Sequence, residues 1–136
     1  MSKIPDKIKE YLSNVDIVYV TTCDKDKVPH ITIAKDIRIL NDGEHIAFKS
    51  WFCVKSLENL ANNPNVAVGT YNMQEKSGYQ FIGKVVSKDV EAVLNGYAPE
   101  LESIEAETPQ EEYKLKIKVE SILELHFGTH SDKSIV

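Results

Sequence analysis

The sequence contains few of the residues that nucleic-acid-binding and membrane-spanning proteins need. Arg38 is the only arginine among 136 residues, and the formal net charge is −5. Because affinity for nucleic acid depends largely on many Lys and Arg side chains that neutralise phosphates, this composition predicts no DNA or RNA partner. No stretch approaches the about 20 apolar residues of a membrane-spanning helix. We therefore expect no membrane partner and a cytoplasmic location.

Cysteine is also scarce, which argues against a disulfide framework. Cys23 and Cys53 are two isolated residues without the spacing of a zinc site. His126 and His130 lie in a segment predicted to be extended or loose, where their spacing has no helical meaning. The sequence also lacks a glycine-rich dinucleotide-binding motif and a Walker loop. We expect reduced thiols and no metal site.

The length and the 42% apolar content predict one globular domain with its own core. We assign residues 1–127 to this domain. Residues 128–136 form a C-terminal tail that we expect to be mobile or to depend on a partner chain.

Strand-like segments dominate the pattern of the chain. They are rich in β-branched and aromatic residues, and six are predicted: 15–23, 28–40, 45–49, 66–71, 79–87 and 113–119. The helices are few and short: one begins at Pro5, one carries Val54, Leu57 and Leu60, and one is predicted over residues 90–97. The Asp42-Gly43 pair predicts a tight hairpin between the second and third strands. A closed or partly closed antiparallel barrel accounts for this order.

The second strand contains one residue that does not fit its alternation. Its isoleucines are predicted to share one face: Ile31, Ile33, Ile37 and Ile39. Lys35 falls on this face, where an ammonium without a partner would be costly. Either a β-bulge turns Lys35 toward solvent or Lys35 is directed at a ligand.

The stretch over residues 45–63 passes from a strand through a short junction into a helix. The first backbone N–H groups of a helix are unpaired and attract anions. Two lysines and two hydroxyls are predicted around this opening: Lys49, Ser50, Lys55 and Ser56. The pattern favours a phosphate-binding site. Alternatively, Ser50 is only a helix cap and the lysines are only solvated charges.

Two aromatic residues, Trp51 and Phe52, occupy the same junction. They could line the flat face of a ring system whose phosphate occupies the neighbouring site. They could equally belong to the core or to a dimer interface. The residues alone leave both interpretations open.

The order of these segments resembles the FMN-binding split β-barrel family, which includes pyridoxamine 5'-phosphate oxidase and small standalone FMN-binding proteins. The matching stretches are VYVTTCDKDKVPHITIAKDIRILNDGEHIAFKS, VKSLENLANNPNVAVGTY and GYQFIGKV. With the N-terminal helix they cover roughly residues 4–87. The resemblance implies a mainly β, antiparallel split barrel with a few short helices.

The resemblance also implies a homodimer that binds FMN at the subunit interface. Lys55 and Ser56 match the residues that hold the phosphate in this family. The other implied cofactor-binding positions are Ile33, Ala34, Lys35, Asp36, Lys49, Ser50, Trp51, Phe52 and, from a later strand, Gln80.

The function implied is that of an FMN-dependent oxidoreductase or flavin electron carrier with a small-molecule or protein redox partner. The flavin would perform the redox chemistry, so no protein nucleophile is required. No arginine follows Arg38, so the arginine-containing substrate segment of the oxidase is missing and pyridoxamine phosphate is not predicted as the substrate. The alternatives are a binding module for haem, a deazaflavin or another ligand, and a barrel that has lost its cofactor.

Overall fold

The computed structural model of the chain describes residues 3–52, 54–94, 110–129 and 131–136. The elements in these residues are α1 (Asp6–Leu12), β1 (Val18–Cys23), β2 (Pro29–Ile39), β3 (His45–Phe52), α2 (Val54–Asn62), β4 (Asn65–Asn72), β5 (Ser77–Leu94) and β6 (Gln110–Leu125). The strands form a closed barrel in the order β1-β2-β3-β6-β5-β4, and β1 also pairs with β4. Every pairing is antiparallel. The predicted mainly β barrel is confirmed.

The core fills the inside of the barrel, because alternate residues of each strand point inward. Its fully buried side chains include Val18, Val20, Phe48, Phe81, Leu115 and Ile117. Helix α1 adds its apolar face, as its periodicity predicts. Tyr11 on this face donates a hydrogen bond of 3.2 Å to the carbonyl oxygen of Ser77. Burial raises the pKa of Tyr11 above its ordinary value.

The predicted alternation of β2 is wrong, because a β-bulge divides the strand. Ile31 and Ile33 point outward and are 61% and 63% exposed, whereas Ala34 and Ile37 are buried. The register with β3 shifts between Lys35 and Arg38. The extra residue changes which side chains face the core. The bulge that we considered for Lys35 is therefore present, and the isoleucines do not share one face.

The helix predicted over residues 90–97 is also wrong in the described part of that range. Strand β5 continues to Leu94, and Val90 lies opposite Tyr113 of β6. Register shifts between Val85 and Ser87 and between Val90 and Ala92 interrupt the two-residue alternation of apolar residues. This interruption imitates helical spacing. Residues 95–97 lie outside the described residues.

The C-terminal tail pairs with the barrel of its own chain. Ile122 and the terminal residues exchange backbone hydrogen bonds, with 2.9 Å from the Ile122 N–H to the Val136 carbonyl oxygen and 3.0 Å from the Ile135 N–H to the Ile122 carbonyl oxygen. Leu123 and Ser134 form an additional antiparallel bridge. Within the described residues, neither helix combines the length and the apolar character needed to cross a membrane.

Candidate functional site

The bulge in β2 places Lys35 on the outside of the barrel. Asp36, the next residue, has a φ of +57°, in the left-handed region that side chains other than glycine rarely adopt. Lys35 lies directly opposite Lys49 of β3. Its Nζ atom is 3.2 Å from Oε2 of Glu112 on β6, and 9% of the Glu112 side chain is exposed. A nearly buried carboxylate thus compensates a half-exposed ammonium.

Lys49, Ser50 and Trp51 belong to a strand and not to the opening of a helix, because β3 extends to Phe52. Ser50 is buried, and its Oγ donates a hydrogen bond of 2.8 Å to the carbonyl oxygen of Ile33. The suggestion that Ser50 caps the helix is therefore wrong. The bond ties β3 to β2 beside the bulge and positions the neighbouring Lys49 and Trp51 on the outer face.

Helix α2 places Lys55 in its first turn, where backbone N–H groups have no partner within the helix. The Nζ atom of Lys55 is 3.5 Å from Oδ2 of Asp24, in the turn after β1. Backbone N–H groups, first that of Val28, hold the pKa of Asp24 below its ordinary value, and the charge of Lys55 contributes in the same direction. Ser56 is buried at 2% exposure.

A buried hydrogen bond fixes α2 against the barrel. The amide nitrogen Nδ2 of Asn59 donates to Oγ1 of Thr22 on β1 over 2.9 Å. Both residues are at least 99% buried. The same helix therefore carries Lys55 and its anchor, which fixes the first turn close to the end of β1.

Four exposed apolar side chains lie on the outer surface of β1 and β2 and the residue preceding β1: Ile17, Tyr19, Ile31 and Ile33, which we call the apolar face. Tyr19 lies directly opposite Ile33 on one side and Gly69 of β4 on the other. A Cβ atom added at Gly69 would meet no atom within 4 Å. The apolar face therefore continues across Gly69 as an open surface.

Gln80 is the predicted site residue that the fold separates from the others. It lies opposite Gly69, in the row that runs from Ile33 through Tyr19 and Gly69. Three strand spacings of about 4.8 Å therefore separate Gln80 from Ile33 along the sheet. Within one chain, Gln80 lies apart from the residues of the bulge and of β3.

The structure brings together most of the predicted site at the neighbouring parts of β2 and β3. Ile33, Lys35 and Lys49 share the outer surface, whereas the side chain of Ala34 is buried inside. The side chain of Phe52 lies outside the described side chains. Sequence reasoning missed Glu112. Its signal is an acid in line with the alternating lysines of β6.

These residues suit a planar ligand that carries a phosphate. Lys35, Lys49 and Lys55 supply cations, the first turn of α2 supplies N–H donors, and Trp51 offers an aromatic ring that is 41% exposed. FMN combines a phosphate with a flat ring system, so the donor set fits it. Within the described part of the chain, no group of three or more His, Cys, Asp or Glu residues could hold a metal ion.

Comparisons with known proteins identify the family. The model of the pyridoxamine 5'-phosphate oxidase family matches residues 4–125. The chain is 32% identical over 82 residues to an uncharacterized protein of Methanocaldococcus jannaschii. That match covers 60% of this chain and 54% of the relative, so the chain spans about half of the relative's length.

Solved structures share the fold. HupZ of group A Streptococcus aligns with a TM-score of 0.65 and 20% identity, covering 92% of this chain and 96% of that chain. A pyridoxamine 5'-phosphate oxidase-related, FMN-binding protein of Nostoc punctiforme aligns with a TM-score of 0.62 and 10% identity, covering 93% and 87%. Since the family model spans nearly all of the barrel, the chain belongs to the pyridoxamine 5'-phosphate oxidase family.

Proposed function

We propose that this protein is an FMN-binding flavoprotein that acts as an oxidoreductase or electron carrier. The observation that carries the proposal is the cluster of Lys35, Lys49 and Trp51 beside the β2 bulge, with Lys55 in the first turn of α2. Membership of the pyridoxamine 5'-phosphate oxidase family supports flavin as the ligand of this cluster. The redox partner is a small molecule or a protein, which we expect in the cytoplasm.

Lys55 and the N–H groups at the start of α2 would hold the FMN phosphate, because both are positive and point away from the helix. Lys55 already faces the carboxylate of Asp24 at 3.5 Å, so a phosphate would compete with that carboxylate for the ammonium. Ser56 is buried in the free chain and would contribute through the local backbone or after a side-chain rotation. The flavin, once bound, supplies the electron transfer.

The ring system would lie against the outer surface of β2 and β3. Ile33 and Trp51 offer exposed apolar area there, and Lys35 offers a positive charge that Glu112 partly compensates. A positive charge beside a flavin stabilises the negative charge of its reduced form. These residues would therefore bind the ring, exclude water from one of its faces and raise its tendency to accept electrons.

The functional unit in this proposal is a homodimer with the cofactor at the subunit interface. The apolar face groups four exposed large hydrophobic side chains on two neighbouring strands and the residue preceding β1, an arrangement that marks interaction surfaces. Gln80 lies three strands from Ile33 and so apart from the residues of the bulge within one chain. A second copy packed on the apolar face would supply Gln80 to the site of the first.

The first experiment is an absorption spectrum of the protein purified without added cofactor, followed by mass spectrometry of the molecule that heat releases. We expect a flavin spectrum and FMN near one per chain. If heat releases haem or a deazaflavin, that molecule and not FMN is the ligand. A colourless protein that also fails to quench the fluorescence of added FMN would contradict flavin binding altogether.

A paired substitution tests the phosphate site. Lys55→Ala with Ser56→Ala should raise the dissociation constant for FMN at least about 30-fold, because a charge-assisted contact and a hydrogen bond to phosphate are lost. Lys84→Ala, an exposed lysine on β5, is the matched control. Thermal unfolding of both variants separates loss of the site from loss of the fold. An unchanged FMN affinity in the folded double variant would overturn the assignment.

A further inference from the structure

Three lysines lie side by side on the outer surface of the barrel, on three neighbouring strands. Lys35 of β2 lies opposite Lys49 of β3, and Lys49 lies opposite Lys114 of β6. Side chains directly opposite on one face have Cβ atoms about 5 Å apart, and like charges at this distance destabilise the sheet. Three positive charges are thus concentrated on a protein whose net charge is −5.

Within the part of the chain that the structure describes, one of these three lysines forms an ion pair with an acid and the other two form none. The 3.2 Å contact between Lys35 and Glu112 neutralises the first. Among the described residues, neither Lys49 nor Lys114 forms an ion pair. Asp89 of β5 lies directly opposite Lys114 on its other side, so the uncompensated positive charge of the row centres on Lys49 of β3.

The adjacent row on the same surface adds two more cations. Ala47 of β3 lies opposite both Arg38 of β2 and Lys116 of β6. Ala47 is fully buried although it shares the outer surface with Lys49. Arg38 and Lys116 also lack an ion pair among the described residues. We call Arg38, Lys49, Lys114 and Lys116 the basic patch.

We propose that the basic patch binds a small molecule with at least two adjacent anionic groups, phosphate or carboxylate. Such a ligand would relieve the repulsion between Lys49 and Lys114 with one anionic group. Arg38 and Lys116 in the adjacent row would bind its second anionic group. A single phosphate would engage only part of the patch. The small area, two rows on three strands, suits a small molecule better than an extended polymer.

This inference extends the proposed function, on which it rests for its biological meaning, by assigning the redox substrate to anionic small molecules. The patch shares Lys49 with the candidate flavin site and lies on the same surface. A substrate held there by its anionic groups would lie beside the ring-binding surface. The binding step itself depends only on residues of this chain, so it can be measured without flavin.

The test compares two lysines of the same strand. Lys114 forms no ion pair with any residue that the structure describes, whereas Lys118, four residues further along β6, lies 3.2 Å from the carboxylate of Glu44. Isothermal titration calorimetry of the full chain at low ionic strength should show tighter binding of inorganic pyrophosphate than of orthophosphate. Lys114→Gln should weaken pyrophosphate binding about three- to tenfold, and Lys118→Gln less than about twofold. Citrate in place of pyrophosphate separates carboxylate from phosphate ligands.

Glu112→Gln should change the affinity for pyrophosphate in the opposite direction in the same assay. Removing the carboxylate frees Lys35, so pyrophosphate should bind more tightly than to the unchanged protein. Equal losses in Lys114→Gln and Lys118→Gln, or no binding of either pyrophosphate or citrate at millimolar concentration, would overturn the proposal. If FMN fails to bind while Lys114-dependent pyrophosphate binding remains, only the flavin function falls. If FMN binds but neither pyrophosphate nor citrate does, only the proposal for the basic patch falls.

Discussion

Two parts of the barrel's outer surface share strand β2 and differ in chemistry. The apolar face, toward β1, exposes isoleucine and tyrosine side chains, and Ile33 is its most exposed member at 63%. The basic patch, toward β3 and β6, exposes lysine and arginine. The bulge between Lys35 and Arg38 lies where one surface gives way to the other. A single extra residue therefore sets which side chains β2 offers to each side.

The two surfaces need partners of different chemistry. Exposed apolar side chains are stabilised only when another apolar surface removes them from water. Adjacent ammonium groups are stabilised when an anion lies between them. In our two proposals, one barrel combines a surface for a second copy with a surface for an anionic ligand, and the two meet at the candidate cofactor site. Changes on one side should leave the other side's function intact, and the following predictions test this.

The largest expected effect comes from placing a charge on the apolar face. Ile33→Glu should raise the dissociation constant of the proposed homodimer at least about 100-fold, because a carboxylate would be buried without a partner at the proposed interface. Sedimentation velocity over a range of concentrations measures it. Val86→Glu is the matched control, since Val86 is an exposed apolar residue on β5, away from the apolar face. A dimer equally stable in both variants would place the interface elsewhere.

The barrel could be predicted from the sequence because the residues that favour its strands and its turns lie within short local segments. Each strand carries β-branched residues and each hairpin its own turn residues, as in Asn41-Asp42-Gly43 before β3. Lys35 was recognisable as an exception to the pattern of β2. The direction of Ile31 and Ile33 was not predictable, because a bulge changes the facing of every residue on one side of it and its position depends on pairing with β3.

The candidate site was predictable only where its residues lie close together along the chain. The run from Lys49 to Ser56 was found from neighbouring residues. Glu112 was not, because its contact with Lys35 joins β6 to β2 across β3, and this strand order is not written in any local pattern. The separation of Gln80 from Ile33 has the same origin, since it follows from the pairing of β1 with β4.

A smaller effect is expected from breaking the compensated pair beside the basic patch. Lys35→Met should lower the free energy of unfolding by about 1–2 kcal/mol, because Glu112 would remain nearly buried without its cation; the half-exposed position of Lys35 keeps the cost below that of a fully buried pair. Glu112→Gln should cost less than about 1 kcal/mol, since it removes the buried charge itself. Urea unfolding measures both. A larger loss for Glu112→Gln than for Lys35→Met would contradict this account of the pair.

The smallest effect concerns Lys55, whose compensation by Asp24 resembles that of Lys35 by Glu112. Asp24→Asn keeps an oxygen for the N–H groups of Asp26 and Val28, which Oδ1 accepts at 2.8 and 2.9 Å, and removes only the charge facing Lys55. FMN should then bind about two- to fourfold more tightly at neutral pH, because its phosphate no longer competes with a carboxylate. Fluorescence quenching measures this affinity.

The pH dependence of the same pair follows from the lowered pKa of Asp24. A carboxylate whose pKa is lower in the folded than in the unfolded protein stabilises the fold above its unfolded pKa of about 3.9, and this contribution is lost as the pH falls through the folded pKa. The charge facing Lys55 disappears over the same acidic range. The difference in FMN affinity between the Asp24→Asn variant and the unchanged protein should therefore vanish once the pH falls below that range. A difference that persists when Asp24 is protonated would show that the turn, and not the charge, controls Lys55.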